Sequence, residues 1–432
     1  MIQSMLGGPV SRVQIPHSGS RPTRFPTFLS LGASVAYLWA ALTPLRTLTV
    51  AGVQLSDIAL IIAAILFALG AGQSGLALGL PALLATFVVL GLAASIWASS
   101  AGAFDQIESL SQALQFSIAL LLVAFVLLFA SAVRNGVHNI VLAYSVGATA
   151  LGVSVLVLPN EVAGRSVGLA GHPVEVGGSL GVAVAYLSVR LIRQPRRALL
   201  LSPPILIMVS AILAAEAATG LVAAVLGIVV GLLMDKRAVR GVLFGVLGIG
   251  LAYVIVSTSA VGVELLAKMT TSFEGGLQTT SSDLASVSTL QSRWVTIQVG
   301  LERALEAPWF GHGFDESGQR VVEKLAPHNV LVLAWVSGGV IPLLLLVTLL
   351  VFSVATALQI RRGAPHLNWS GADAAVVAGV AAAWAAALSG PQMYQRSWLL
   401  FALVLPMLWL GSACARSRIS VESKQKAGPD HG

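Results

Sequence analysis

The sequence predicts an all-α fold, a polytopic transmembrane helical bundle of about 12 spans whose long outer loop contains an amphipathic helix. Hydrophobic residues make up 56% of the 432 positions and charged residues only 10%, whereas a soluble domain carries about a quarter charged residues. A water-soluble fold cannot hide that much apolar surface. The net charge of +7 comes from short basic clusters between apolar runs, which favours membrane topology over nucleic-acid binding.

The chain begins with a polar stretch, residues 1–26, whose arginines lie among Ser, Gly and Pro without an apolar core long enough for a signal peptide. We predict a disordered cytoplasmic tail there and a cytoplasmic tail at 414–432. Spans 1–9 are predicted within 27–259 and spans 10–12 within 327–413. Each apolar run is long enough, or nearly so, to cross the bilayer as a helix. The runs are 27–43, 55–72, 79–98, 112–131, 137–158, 174–190, 199–216, 219–234, 241–259, 328–358, 372–389 and 397–413.

The orientation of the bundle follows from its basic residues, because positively charged loops next to spans tend to stay cytoplasmic. Placing both termini in the cytoplasm puts most Lys and Arg residues inside. Six of the eight exceptions cluster in two outer loops between residues 165 and 324. This clustering is the first indication that the outer face has a function.

The segment 260–326 is the long outer loop, and loops of this length usually have a function or structure of their own. Its first part, 270–289, is rich in Ser, Thr and Gly and is predicted to be flexible. Its second part, 288–307, has apolar residues at helical spacing, which predicts an amphipathic helix on the outer membrane surface. These residues are Trp294, Ile297, Leu301 and Leu305. Pro308 ends the helix, and a tight turn, Trp309–Gly313, follows.

A short Gly-rich loop with Arg165 near its start and His172 near its end connects two spans on the outer face. Glycines let backbone approach a ligand closely, and an Arg can hold phosphate oxygens in a bidentate manner. The alternative is a tight turn with one solvated arginine.

Arg293 and the pair His328-Asn329 are two further candidates, at the start and after the end of the amphipathic helix. A histidine where water meets lipid headgroups can act as a general base on a hydroxyl. Alternatively, Arg293 is a surface charge and His328 caps a helix. Glu216, near the outer end of an apolar run, is either a functional intramembrane acid or part of a wet turn.

Several motifs together resemble the O-antigen ligase and polymerase superfamily. They are Arg165 to Pro173, Arg293-Trp294, Ala307-Pro308-Trp309-Phe310-Gly311-His312-Gly313, Pro327-His328-Asn329 and Gly338-Gly339. The resemblance implies a metal-independent, cofactor-free glycosyltransferase in the bacterial cytoplasmic (inner) membrane. Its partners would be a polyprenyl diphosphate-linked glycan donor, a glycan or lipid-linked acceptor and membrane lipids.

The same resemblance implies roles for individual residues. Arg293 and His328 would be catalytic, with Arg293, Arg165 and Arg396 binding the diphosphate. Glu216, His172 and Asn329 would support them. Two or three arginines can stabilise the departing diphosphate while a histidine takes the hydroxyl proton, and direct displacement would invert the anomeric centre.

The chain departs from the family where a Ser-x-Arg-Gly motif is expected at the outer start of the eighth span, because it has Ala217-Ala218-Thr219-Gly220 there. Either Arg165 or Arg396 replaces the missing arginine, or the substrate or activity differs. A secondary transporter or lipid-linked glycan flippase is the main rival, although transporters place their sites near the bilayer midplane. A non-catalytic membrane scaffold is a third alternative.

Overall fold

The computed structural model describes residues 27–74, 80–100, 102–103, 105–158, 160–162, 165–235, 289–314, 326–363, 371–390 and 396–408. Both predicted tails, the predicted span 241–259 and residues 270–288 of the predicted flexible segment lie outside these ranges.

The described residues are mainly helical, with two short hairpins. The helices are α1 (Thr27–Leu42), α2 (Leu55–Ser74), α3 (Leu80–Ser100), α4 (Gln106–Ala132), α5 (Gly136–Val157), α6 (Pro173–Arg193), α7 (Ala198–Ala214), α8 (Ala218–Met234), α9 (Thr289–Glu306), α10 (Val330–Gly338), α11 (Val340–Arg362), α12 (Ala374–Leu388) and α13 (Arg396–Leu408). A 3₁₀ turn, Pro195–Arg197, precedes α7. The hairpins pair β1 (Thr49–Val50) with β2 (Val53–Gln54), and β3 (Glu161–Val162) with β4 (Arg165–Ser166), both antiparallel.

Five of these helical segments are long and apolar enough to cross a membrane: Gln106–Ala132, Gly136–Val157, Pro173–Arg193, Pro195–Ala214 and Val340–Arg362. Shorter apolar helices accompany them, at Phe28–Leu42, Leu55–Ala71, Leu90–Ser100, Ala218–Met234, Ala374–Leu388 and Arg396–Leu408. The prediction of a helical membrane protein is therefore confirmed. The number of about 12 spans stays a prediction.

The predicted span 328–358 is not one continuous helix, because the chain breaks at Gly339 into α10 and α11. Gly339 has a φ of +80°, which favours glycine. The break docks on the turn after α9, where the amide of Val340 donates to the carbonyl of Pro308 at 2.8 Å. A side chain at Gly339 would lie 2.0 Å from the Trp309 carbonyl oxygen. The sequence interpretation missed this break because apolar residues continue on both sides of it.

The helix α9 covers the segment where the amphipathic helix was predicted, and it packs against α10. Ala304 of α9 forms a small buried cluster with Val332 and Val336 of α10, and Ile297 contacts this cluster. Trp294 remains exposed. One apolar side of α9 therefore binds protein and places the start of α9 next to the start of α10.

Small residues bring the N-terminal parts of α6 and α8 together. A Cβ at Gly181 would lie 2.5 Å from the Gly220 oxygen, and one at Gly220 would lie 2.6 Å from the Gly177 oxygen. Further along α8, a Cβ at Gly227 would lie 2.6 Å from the Ala378 oxygen of α12. Such close helix crossings are typical of membrane helices that lack large side chains at the seam. This seam places the loop before α6 beside the turn before α8.

Candidate functional site

His328 lies just before α10, in a segment that the neighbouring Asn329 fixes. Asn329 is the N-cap of α10, because its Oδ1 accepts hydrogen bonds from the amides of Leu331 and Val332 at 2.9 and 3.2 Å. Its Nδ2 donates to the carbonyl of Leu388 at 3.1 Å, at the end of α12. Because Asn329 uses both ends of its amide for these contacts, it supports His328 by fixing the backbone.

The His328 ring contacts α9 through Thr296. The distance from Nδ1 of His328 to Oγ1 of Thr296 is 3.1 Å, and the same hydroxyl lies 2.8 Å from the Arg293 carbonyl oxygen. Burial, together with the positive charge of Arg293, lowers the pKa of His328 to about 4. The imidazole is therefore neutral at neutral pH, which is the form that a general base requires.

Arg293 is half-buried, and its Nε is a buried atom without a hydrogen-bond partner among the described residues. Burial and the charge of Arg165 lower the pKa of Arg293. The structure thus brings Arg165, Arg293 and His328 into one group, although they lie far apart in the sequence. A guanidinium with an unused buried N–H is suited to an anionic ligand.

Arg165 stands in β4 and points to the turn between α7 and α8. Its Nε lies 3.8 Å from Oε2 of Glu216, and both side chains are partly exposed. Glu216 has a φ of +47°, an uncommon conformation for a residue other than glycine that often marks functional positions. Glu216 therefore lies in the turn between two helices and partners Arg165.

The loop that follows Arg165 is fixed to the bundle. The amide of Leu169 donates to Oγ of Ser154 at 3.1 Å, and its carbonyl accepts from the amide of Thr47 at 3.1 Å. Gly168 has a φ of +51°, and a Cβ there would lie 2.5 Å from Oγ of Ser154. This geometry explains why the loop needs glycine, and it fixes the chain that follows Arg165.

His172 is the N-cap of α6. Its Nδ1 accepts a hydrogen bond from the amide of Val174 at 3.2 Å. Burial, followed by the charges of Arg46 and Arg165, lowers the pKa of His172. His172 therefore lies in the electrostatic neighbourhood of Arg165 as a neutral ring.

Arg396 has a different environment, because its Nε donates to Oδ1 of Asp57 at 3.0 Å. Both residues line a cavity of about 810 Å³, and the ion pair between Arg46 and Glu175 also lines it. This volume is in the range of ligand sites. The structure thus joins Arg396 to this cavity through Asp57.

The turn Trp309–Gly313 joins the end of α9 to the end of α10. The amide of His312 donates to the Val336 carbonyl at 2.8 Å, and that of Gly313 donates to the Ser337 carbonyl at 2.9 Å. Nε2 of His312 contacts the carbonyl of Arg303 at 2.8 Å. These bonds fix α9, the turn and α10 as one unit, which explains the two glycines of the turn and the following Gly338-Gly339.

Sequence reasoning missed Thr296 and the ion pair between Arg46 and Glu175. Thr296 has no local signature, because its partner His328 is 32 residues away in the chain. The pairing of Arg46 with Glu175 depends on tertiary packing. Among the described residues, no group of three or more His, Cys, Asp and Glu side chains could hold a metal ion.

A family model described as O-antigen ligase matches residues 203–347, about a third of the chain. The matched range includes Glu216, Arg293 and His328, whereas Arg165 and Arg396 lie outside it. The predicted resemblance to the O-antigen ligase superfamily is thereby confirmed. No curated protein matches the chain.

Proposed function

We propose, from this match to the O-antigen ligase family, that the chain is a glycosyltransferase of the bacterial cytoplasmic membrane. It polymerises or ligates a polyprenyl diphosphate-linked oligosaccharide on the outer face, with both termini in the cytoplasm. The observation that carries the proposal is the unpartnered, buried Nε of Arg293, next to a second arginine and a neutral histidine. Two neighbouring arginines beside a base suit transfer from a diphosphate.

The arginines act on the leaving group. Arg293 and Arg165 repel each other in the free protein, and Glu216 neutralises only part of their charge. A bound diphosphate removes this repulsion and accepts hydrogen bonds from both guanidinium groups. As the bond to the sugar breaks, negative charge grows on the diphosphate, and fixed cations stabilise that charge. The reaction proposed here therefore needs no metal ion.

His328 acts on the acceptor. The acceptor hydroxyl oxygen forms the new bond to the anomeric carbon while the bond from that carbon to the diphosphate oxygen breaks. The hydroxyl proton passes to the imidazole of His328, and the bonding electron pair leaves with the polyprenyl diphosphate. Attack from the face opposite the leaving group inverts the anomeric centre.

The low pKa of His328 fits a base that becomes stronger when the donor binds. A base with a pKa of about 4 is weak towards a hydroxyl, because efficient bases have a pKa near the working pH. The positive charge of Arg293 is one of the two causes that lower the His328 pKa. A diphosphate bound at Arg293 would offset that positive charge. Donor binding would therefore strengthen the base at the moment when it is needed.

The proposal is tested by His328→Ala and Arg293→Ala in purified protein supplied with a polyprenyl diphosphate-linked oligosaccharide and an acceptor. Arg361→Ala is the matched control, because Arg361 is an exposed residue in the last turn of α11. We expect each site variant to lose transfer, by about 100-fold or more, while size exclusion in detergent shows the normal profile. Near-normal product from both site variants would refute the proposal.

A strain that lacks this protein distinguishes polymerisation from ligation. Mass analysis of its lipid-linked glycans would show accumulated single repeats for a polymerase and accumulated full-length chains for a ligase. An unchanged lipid-linked pool would contradict both.

A further inference from the structure

We propose that Thr296 is a positioning residue, which holds His328 in the tautomer that carries its proton on Nδ1 and leaves Nε2 free to act as the base. The inference rests on the proposed function of His328. It adds a residue that neither the sequence motifs nor the family match single out, and it assigns the reacting atom.

The hydrogen-bond geometry around Thr296 sets the direction of each bond. Thr296 is 0% exposed, so its hydroxyl must find its partners within the protein. Oγ1 has one proton, and it lies 2.8 Å from the Arg293 carbonyl oxygen and 3.1 Å from Nδ1 of His328. A carbonyl can only accept. The proton therefore goes to the nearer carbonyl, a common contact for Thr within a helix, and Oγ1 accepts from Nδ1–H.

A neutral imidazole carries one proton, so a proton on Nδ1 leaves a lone pair on Nε2. No partner occupies Nε2 of His328 among the described residues. Only a ring nitrogen with a lone pair can take the acceptor proton. The opposite tautomer would present an N–H to the acceptor and could not act as a base.

Two other histidines on the same predicted face have the opposite arrangement. Nδ1 of His172 accepts from the amide of Val174, which leaves the proton of a neutral ring on Nε2. Nε2 of His312 lies 2.8 Å from the Arg303 carbonyl, so it must donate. His328 thus differs from both in the nitrogen that remains unprotonated.

Thr296 also links Arg293, which is proposed to bind the diphosphate, to His328, which is proposed to act as the base. It lies three residues after Arg293 on α9, and its hydroxyl joins the Arg293 backbone to the His328 ring. Packing of α9 on α10, through Ala304 and Val336, keeps the two segments in register. One helical turn therefore positions both the residue proposed to bind the diphosphate and the base.

The test compares Thr296→Val, which keeps the shape but removes the hydroxyl, with Thr296→Ser, which keeps the hydroxyl. We expect kcat to fall about 10-fold in the Val variant, as for other losses of an orienting hydrogen bond, with the KM for the lipid-linked donor unchanged. The Ser variant should keep most of the wild-type kcat. Wild-type kcat in Thr296→Val would overturn the proposal.

NMR of the ring nitrogens, in protein made with nitrogen-labelled histidine, provides a readout that does not depend on activity. The ring nitrogen shifts separate a protonated nitrogen from an unprotonated one, and His328→Ala identifies the His328 signals. We expect wild-type His328 to be protonated on Nδ1 at neutral pH and the Val variant to shift towards the other tautomer. A wild-type proton on Nε2 would overturn the proposal even if the Val variant did not fold.

The two proposals can fail separately. If His328→Ala and Arg293→Ala both retain transfer, the proposed function fails, whereas the NMR result still reports whether Thr296 sets the tautomer. If His328→Ala is inactive but Thr296→Val retains kcat and the wild-type tautomer, only the role of Thr296 fails.

Discussion

Gly339→Ala should destabilise the protein strongly, because the break between α10 and α11 leaves no room for a side chain. The new Cβ would lie 2.0 Å from the Trp309 carbonyl oxygen, 2.3 Å from the Trp309 carbonyl carbon and 2.6 Å from the Phe310 nitrogen. All three are backbone atoms, so no side-chain rotation can relieve the contact. In addition, the φ of +80° disfavours alanine.

The magnitude follows from these two effects. A non-glycine residue at φ +80° and ψ −169° is strained by about 1–3 kcal/mol, and forcing an extra carbon into a packed site costs about 1–3 kcal/mol. The sum, about 2–6 kcal/mol, is a large share of the stability of an ordinary domain. The matched control is Gly91→Ala in α3, where a Cβ would lie 3.6 Å from Cδ1 of Leu345, an ordinary contact.

The assay is thermal unfolding of both variants in detergent, followed by circular dichroism or by loss of the monodisperse peak. We expect a clearly lower midpoint for Gly339→Ala, and an unchanged or higher midpoint for Gly91→Ala, because alanine favours a helix interior. Equal midpoints for the two variants would refute the reasoning, since they would mean that the turn after α9 does not pack on the α10 break.

Three further predictions concern the site and the topology. The kcat/KM for the donor should fall only as the pH drops through the pKa of His328, about 4, because protonation removes the base; an acidic limb near 6.5 would contradict the burial of this ring. Arg293→Gln should raise the His328 pKa, measured by histidine NMR, because Arg293 is the second cause of its lowering after burial. With Cys414 replaced by Ser, a cysteine at the exposed Trp309 should react with an impermeant reagent added from outside; protection there would overturn the proposed orientation.

The sequence predicted the helices well, because their apolar runs report directly on burial in protein or lipid. It also singled out Arg165, Arg293 and His328, since polar residues clustered in two loops of an otherwise apolar chain are conspicuous. That these residues lie close together could not be derived from spacing. Their proximity depends on α9 packing against α10 and on the hairpin that carries Arg165.

Other features had no signal in the sequence. The contact between Thr296 and His328 joins two helices, and a threonine within an amphipathic helix is unremarkable by itself. The break at Gly339 was hidden for a different reason. Gly338-Gly339 was noted, but membrane helices tolerate glycine, so only the docked turn at Trp309 shows that this pair ends a helix.

The packing of α6 against α8 bears on the arginine that the family pattern places at position 219. Thr219 is only 8% exposed, and a Cβ at Gly177 would already lie 3.4 Å from its hydroxyl oxygen. An arginine cannot occupy this seam without separating the two helices. Arg165 instead reaches the turn just before that position, where its Nε lies 3.8 Å from Glu216, whereas Arg396 is paired with Asp57. Of the two arginines considered as replacements, Arg165 is therefore the better placed, because it also acts electrostatically on Arg293.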